Sequence, residues 1–224
     1  MYMTTGKVRD APGGLTICTS RPPHAHLSDT VTVVWHDTRC ISVEQRRKAW
    51  ALVGEIGEYY GYHSRDRQDL NAALKADFCR ARLSAVQREV LGEFSLADVD
   101  TTTAGMYIDW LIEFVVANGI PTKEPLALAA TDVERYVYYC SVNKVCAVCR
   151  RKAGVHHVDA VGMGRNRDDI LHVGMLHLPL CWGVKGHHNE LHTIGDKAFC
   201  DKYHLIPIPI DERIAQLYNL GGKA

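Results

Sequence analysis

From Ser42 onward the apolar positions recur at helical spacing. Trp50, Val53, Ile56 and Tyr60 share one face, and Gly61 stops the run. Ser42 followed three residues later by Gln45 makes a capping box, in which each side chain satisfies a backbone N–H that the first turn leaves unpaired. A second helix is expected over about residues 66–78, with Leu70, Leu74 and Phe78 on one side. A third is expected over about residues 103–117, carrying a stripe of Met106, Trp110 and Phe114 and ended by Asn118-Gly119-Ile120-Pro121. Stripes of this width are packing surfaces that cover a core. Upstream the pattern shortens to strand length. Leu15-Thr16-Ile17-Cys18 reads as a short strand, and Val31-Thr32-Val33-Val34-Trp35, β-branched and aromatic, reads as a stronger one. Together these two are expected to form a small sheet or hairpin.

Thr122-Lys123-Glu124-Pro125 has the composition of a linker or loop. Just beyond it, Thr131 and Glu134 form another capping box that opens a short helix running to about Tyr139. The expected fold class is therefore α+β. Residues 1–125 would form a mostly helical domain with a small β element, and residues 126–224 a second domain. No internal repeat or low-complexity tract is evident.

Composition narrows the function classes. The 224 residues are 46% hydrophobic and 23% charged, enough apolar material for a core and against disorder as the dominant state. No apolar run reaches the roughly 20 residues needed to span a bilayer. The first residues lack the apolar stretch of a secretory signal, so a cytoplasmic location is expected. Basic and acidic residues balance at 26 each, which excludes a globally basic nucleic-acid binder; any such surface must be a local patch. The unusual counts are 8 Cys and 12 His, and eight of those histidines fall at or after His156. Clustered Cys and His in a chain without a secretory signal point to metal rather than disulfides.

The chemistry begins at Cys146-Ala147-Val148-Cys149, a turn that lets two thiolates reach one Zn²⁺. Cys181 and His187 supply a second half-site, giving a closed Cys₃His set for a structural zinc ion. Five residues, Trp182 to Gly186, separate Cys181 from His187, more than in a tight knuckle; His188, Cys200 and His204 are the alternatives for the fourth ligand. Inside this frame, His156 and His157 lie on a predicted strand, where alternation sends their imidazoles to opposite sides. His188 and His192 stand at i and i+4, one face of a helix. Two imidazoles on a helix and one on a facing strand can hold a divalent cation with positions left open, the pattern of catalytic rather than structural sites.

The order CxxC, HH, Leu-Cys and HH-x3-H resembles the HNH endonucleases. More narrowly, Cys146 to Cys149, His156 to Arg165, Leu180-Cys181 and His187 to Gly195 resemble the core of phage HNH nucleases. The resemblance implies a ββα-metal finger and phosphodiester hydrolysis. It implies that His157 is the general base, and that His156, His188 and His192 hold a catalytic Mg²⁺, Mn²⁺ or Zn²⁺. A looser resemblance, over residues 37–121, is to phage proteins akin to the NinB/Orf recombination mediator. It rests on Asp37-Thr38-Arg39-Cys40-Ile41-Ser42-Val43-Glu44-Gln45-Arg46-Arg47-Lys48, Phe94-Ser95-Leu96 and Ile112-Glu113-Phe114 before Gly119-Ile120-Pro121. That likeness implies association with single-stranded DNA and with phage or host replication and recombination proteins.

Lys144, Arg150, Arg151 and Lys152 flank the CxxC, with no acidic residue between Arg135 and Asp159. Such a patch is suited to DNA phosphates. Arg165 and Arg167, in the glycine-rich stretch Gly162 to Arg167, are further candidates for backbone contact. His172 and His177 read as structural or loop histidines. The functional expectation is a metal-dependent DNA endonuclease. The alternative is a non-catalytic single-stranded-DNA-binding recombination mediator with a structural zinc finger.

Overall fold

The computed structural model describes residues 6–12, 14–19, 37–158 and 171–220. The chain divides into two compact units, Met1–Trp35 and His36–Ala224. In the first, strands β1 (Gly6–Ala11) and β2 (Gly14–Thr19) pair antiparallel, from Gly6 opposite Thr19 to Ala11 opposite Gly14. The strand expected over 15–18 is thus found within β2, with β1 as its partner. The strand expected over 31–35 lies outside the described residues.

The second unit opens with α1 (Val43–Tyr60), which begins and ends as its sequence dictates. Ser42 and Gln45 form the reciprocal capping box, and Gly61 closes the helix at φ 79, a conformation a side chain would strain. A 3₁₀ turn (Ser64–Asp66) leads into α2 (Arg67–Arg82), a turn longer than the apolar stripe suggested. Helix α3 (Ala85–Leu91) has no counterpart among the expected helices, although Ser84 and Gln87 supply a second capping box. Helix α4 (Thr101–Ala117) starts two residues before the expected position because Asp100 caps it, accepting from the Thr103 N–H. Phe78, Phe94, Tyr107 and Trp110 pack edge-on and stacked around the buried middle of α2 and α4.

A short helix, α5 (Leu126–Ala129), precedes α6 (Val133–Val142). The cap of α6 is Asp132, which accepts from the Arg135 N–H, and not the expected Thr131. Thr131 is occupied elsewhere: its N–H and hydroxyl both donate to the buried carboxylate of Asp109 on α4. Thr122 to Pro125 form a loop held against α1, with the Lys123 N–H donating to Glu55 and the Lys123 ammonium paired with Glu58. Helix α4 packs on α1 and α6, and one apolar core runs from Ile41 to Ile214.

The remaining elements are a three-stranded antiparallel sheet and three helices. Strand β3 (Gly154–His157) pairs with β4 (Leu176–Leu180), placing His156 opposite Leu178, and β4 pairs with β5 (Ile208–Pro209). Helices α7 (His187–Ile194), α8 (Asp196–Tyr203) and α9 (Glu212–Leu217) complete the described fold. His177 ties this sheet to the helices, as its structural reading anticipated. Fully buried, it makes one bond through Nδ1 to the Ile208 carbonyl and another through Nε2 to the Ser141 hydroxyl of α6, each 2.9 Å long. Among the described residues no helix is long and apolar enough to cross a membrane.

The Asp109–Thr131 pair gives the first prediction. Asp109→Ala leaves the Thr131 N–H and hydroxyl without their acceptor, and stability should fall by about 1–3 kcal/mol. Urea denaturation should show a lower midpoint at an unchanged slope. An unchanged midpoint would mean that water replaces the carboxylate at no cost.

Candidate functional site

After α6 the chain makes a knuckle. Val145 and Lys152 form an antiparallel bridge, and the turn between them carries Cys146 and Cys149. The Cys146 N–H donates to the Arg151 carbonyl at 2.7 Å and the Arg150 N–H returns to the Cys146 carbonyl at 2.8 Å. Arg150 takes a left-handed conformation at φ 58, and its guanidinium donates to the Ile120 carbonyl. The Ala147 N–H donates to the Pro179 carbonyl at 2.9 Å, which docks the knuckle on β4. Cys181 follows β4 at once, and His187 is the first residue of α7.

These elements bring the donor atoms of Cys146, Cys149, Cys181 and His187 within 4.8 Å of one another. The Cys149 and Cys181 sulfurs are 3.6 Å apart, and His187 Nδ1 is 3.5 Å from the Cys146 sulfur and 3.3 Å from that of Cys181. Tetrahedral ligands on bonds of about 2.3 Å stand roughly 3.7 Å apart, so the set is close to the size that one ion requires. Burial pushes the Cys146 thiol up. Burial works the same way on Cys149, but hydrogen bonds led by the Arg151 guanidinium outweigh it and hold that thiol below its ordinary value. Arg151 donates to the Cys149 and Cys181 sulfurs, each at 3.3 Å.

A second cluster lies one residue further along α7. His156 on β3 meets His188 and His192, with ring centroids 5.1 and 5.0 Å away, and the two α7 rings are 4.6 Å apart. One nitrogen of each lies within 4.8 Å of the others. His156 and His188 are buried, whereas His192 is exposed, so this cluster opens to solvent. His188 Nδ1 is buried with no hydrogen-bond partner among the described residues, an orphan that a cation would satisfy. Burial pushes the His188 imidazole down to about 4, and the neighbouring His156 and His192 act in the same direction. Burial also lowers His156, against the pull of Asp196, whose carboxylate is 3.1 Å from His156 Nε2. Neutral imidazoles are the metal-binding form. The donor sets of both clusters fit a metal ion.

A family model described as "Putative HNHc nuclease" matches residues 24–221. The chain belongs to this HNHc nuclease family. No curated protein and no solved structure matches it. HNH-type nucleases use metal ions, and among the described residues this member has two side-chain clusters able to hold one.

The histidines expected to diverge from their strand do so: His156 joins the α7 pair, while His157 turns to His172, with 2.9 Å between His157 Nε2 and His172 Nδ1. Among the candidates for the fourth position beside the cysteines, the geometry brings in His187. His188 belongs to the other cluster, and Cys200 and His204, on and just after α8, are in neither. The basic residues differ in their engagement. Lys144 is exposed, with its ammonium over the Tyr218 ring, and Lys152 is exposed. Arg150 and Arg151 have the carbonyl and sulfur partners given above, and Arg151 also donates to the Lys185 carbonyl. Arg165 and Arg167 lie outside the described residues.

Sequence reasoning missed three neighbours of the clusters, Asp196, Arg151 as a sulfur partner and Trp182, and the pairing of His172 with His157. The Trp182 ring lies 3.6 Å from that of His188, at 31°. Only Asp196 had a local signal, standing four residues after His192, and Gly195 between them breaks the helix that would make that spacing meaningful.

Because the cysteine cluster joins the knuckle, β4 and α7, removing metal should loosen all three. A ligand at about 100 times its Kd contributes about 2.7 kcal/mol. Chelation should therefore lower the melting temperature of the metal-loaded protein. Cys146→Ser should start from the lower value and fall less on chelation. An equal fall in both proteins would detach stability from this cluster.

Proposed function

We propose that this protein is a metal-dependent DNA endonuclease of the HNH type. The observation that carries the reading is the pairing of an open three-imidazole cluster with a fourth imidazole, His157, that sits on the same strand and outside the cluster. Cys146, Cys149, Cys181 and His187 would hold a structural Zn²⁺. His156, His188 and His192 would hold Mg²⁺, Mn²⁺ or Zn²⁺. A cation bound there would supply positive charge to the phosphodiester and to the leaving 3′-oxygen. His157 takes the proton from the attacking water, a role suited to an imidazole near pH 7. Asp196 orients the His156 ring, and Trp182 limits rotation of His188 by covering its face.

DNA phosphates would meet Lys144 and Lys152 at the knuckle, with Arg150, Arg151, Arg165 and Arg167 completing the basic surface. Arg150 and Arg151 would have to give up or share their present partners. The proposed division of labour assigns DNA association to residues 1–125 and cleavage to residues 126–224. The likeness of residues 37–121 to the NinB/Orf mediator supports a place in phage DNA replication or recombination, in the cytoplasm of a bacterial host.

The test is a panel of duplex, single-stranded, flap and junction DNA offered with Mg²⁺, Mn²⁺ and Zn²⁺. Wild type should cut at least one, and His157→Ala should lower turnover by about 10²–10⁴ with DNA binding and metal content unchanged. Binding without cleavage under every condition would replace this reading with that of a non-catalytic single-stranded-DNA-binding recombination mediator. Elemental analysis should find about one tightly held zinc per chain, absent from Cys146→Ser. Lys144→Ala with Lys152→Ala should reduce the log–log salt slope of duplex binding by roughly 0.9 for each phosphate that a lysine no longer neutralises. An unchanged slope would remove both lysines from the DNA path.

A further inference from the structure

The loop between β4 and α7 carries two exposed apolar side chains, Trp182 at 57% and Val184 at 97%. The loop backbone is fixed. The Asn189 side-chain amide donates to the Gly183 carbonyl at 2.9 Å, the Gly186 N–H donates to the same carbonyl at 2.8 Å, and Gly183 stands at φ 111. The indole is seated as well. One face lies on the His188 ring, with 3.6 Å between centroids at 31°. Its edge crosses the start of β3, where a Cβ on Gly154 would collide with Nε1. With one face on His188 and more than half of the residue in water, the ring presents its other face to solvent.

His188 also belongs to the imidazole cluster, so the indole stands beside the residues that would hold the cation. The surroundings suit a polyanion. Lys185 in the same loop and Lys152 in the knuckle are exposed, the Arg151 guanidinium donates to the Lys185 carbonyl, and Glu190 of α7 is paired with Lys202 at 2.6 Å. Cations that follow a backbone and an aromatic ring that stacks on a base are the combination that holds single-stranded nucleic acid. Each phosphodiester has a base one sugar away, so a phosphate at the cluster brings a base beside it. In a duplex both faces of that base are covered by its neighbours, and uncovering one requires the step to unstack. We infer that the free face of Trp182 stacks on an unpaired base next to the scissile phosphodiester, so that the substrate is DNA single-stranded at the cut, as in a single strand, a flap or a gap. This rests on the reading of the imidazole cluster as the place of cleavage.

The experiment uses the full-length protein as purified, without added divalent cation, and compares wild type, Trp182→Ala, Trp182→Phe and Gly154→Ala. The probes are a short oligothymidylate and the duplex it forms with its complement. The single strand should quench the tryptophan emission of wild type, and that quenching should be lost in Trp182→Phe although Trp35, Trp50 and Trp110 remain. Trp182→Ala should weaken single-strand binding about 5- to 150-fold, the effect of one lost base–aromatic stack, with duplex binding near wild type. Trp182→Phe, which keeps a smaller ring, should recover part of the loss. Gly154→Ala should weaken the single strand in the same direction, because it unseats the indole without removing it. Zinc content by elemental analysis should stay at the wild-type level in every variant. With Mg²⁺, Mn²⁺ or Zn²⁺ added, wild type should cut single-stranded or flap DNA in preference to duplex, and Trp182→Ala should lose that preference.

Unchanged single-strand binding by Trp182→Ala, an absence of quenching in wild type, or an equal loss on single strand and duplex overturns the inference; the equal loss is the mark of a wedge into paired DNA or of damage to the site as a whole. If Trp182→Ala does not fold or loses zinc, the quenching of wild type and the single-strand affinity of Trp182→Phe decide it by the same criteria. Quenching and selective loss of single-strand binding with no cleavage under any metal would support the stack and overturn the reading of the cluster as a nuclease centre, an outcome distinct from failure of the stack itself.

Discussion

The short path from Cys181 to His187 is the constraint on which the rest of the site depends. Cys181 directly follows strand β4 and His187 begins α7, so the loop between them fixes where the helix starts relative to the sheet. That loop closes on itself: the Gly186 N–H donates to the Gly183 carbonyl, and the His188 N–H donates to the Cys181 carbonyl. A Cβ on Gly186 would lie 2.5 Å from the Cys181 carbonyl oxygen, so only glycine permits the approach. The donor atoms of Cys181 and His187 then meet those of Cys146 and Cys149 from the knuckle. One helix start thereby serves two purposes. His187 turns to the sulfurs, and His188, the next residue around the helix, turns to His156.

This coupling accounts for the contrast between the two clusters. The cysteine set is enclosed by the knuckle, β4 and α7, and Arg151 lays a positive charge against its sulfurs. Three thiolates and a neutral imidazole around a dication would carry one net negative charge, which the guanidinium offsets. Among the described residues the imidazole set has no such enclosure on the His192 side, where the residue is exposed. Closed sites suit structure, and sites with an open position suit chemistry on a bound water or substrate. Two neighbouring residues of α7 reach different clusters because successive helical residues point about 100° apart.

The buried imidazoles around β4 follow the same rule that polar groups out of water need partners. His177 is satisfied on both nitrogens by Ser141 and Ile208. His172 has His157, and His156 has Asp196. An unsatisfied buried nitrogen costs about 1–3 kcal/mol. Among the described histidines only His188 keeps a buried nitrogen without a partner, and it lies in the open cluster.

Much of this was legible in the sequence wherever the relevant interaction is local. The Ser42–Gln45 box, the apolar stripes of α1, α2 and α4, the CxxC and the His188–His192 spacing each lie within a few turns of chain, so spacing alone determined them. Helix α3 has the same kind of signal in Ser84 and Gln87, but its seven residues bury no side chain fully and show no stripe, so periodicity does not reveal it. What the sequence left open was every choice between long-range partners. Thr131 carries a capping side chain, but tertiary structure gave it to Asp109, and Asp132 took the cap. His187 was the expected fourth partner of the cysteines with His188, Cys200 and His204 as alternatives, and it is the path of β4 and the Gly186 turn that brings His187 beside the three sulfurs. The i, i+4 spacing of Asp196 from His192 is broken by Gly195, and Trp182 and His172 had no local pattern to mark them. They matter through contacts across 40, 6 and 15 residues of chain, respectively. Local hydrogen bonding and periodicity are written in neighbouring residues, whereas the pairing of side chains is decided by where the packed core allows the backbone to pass.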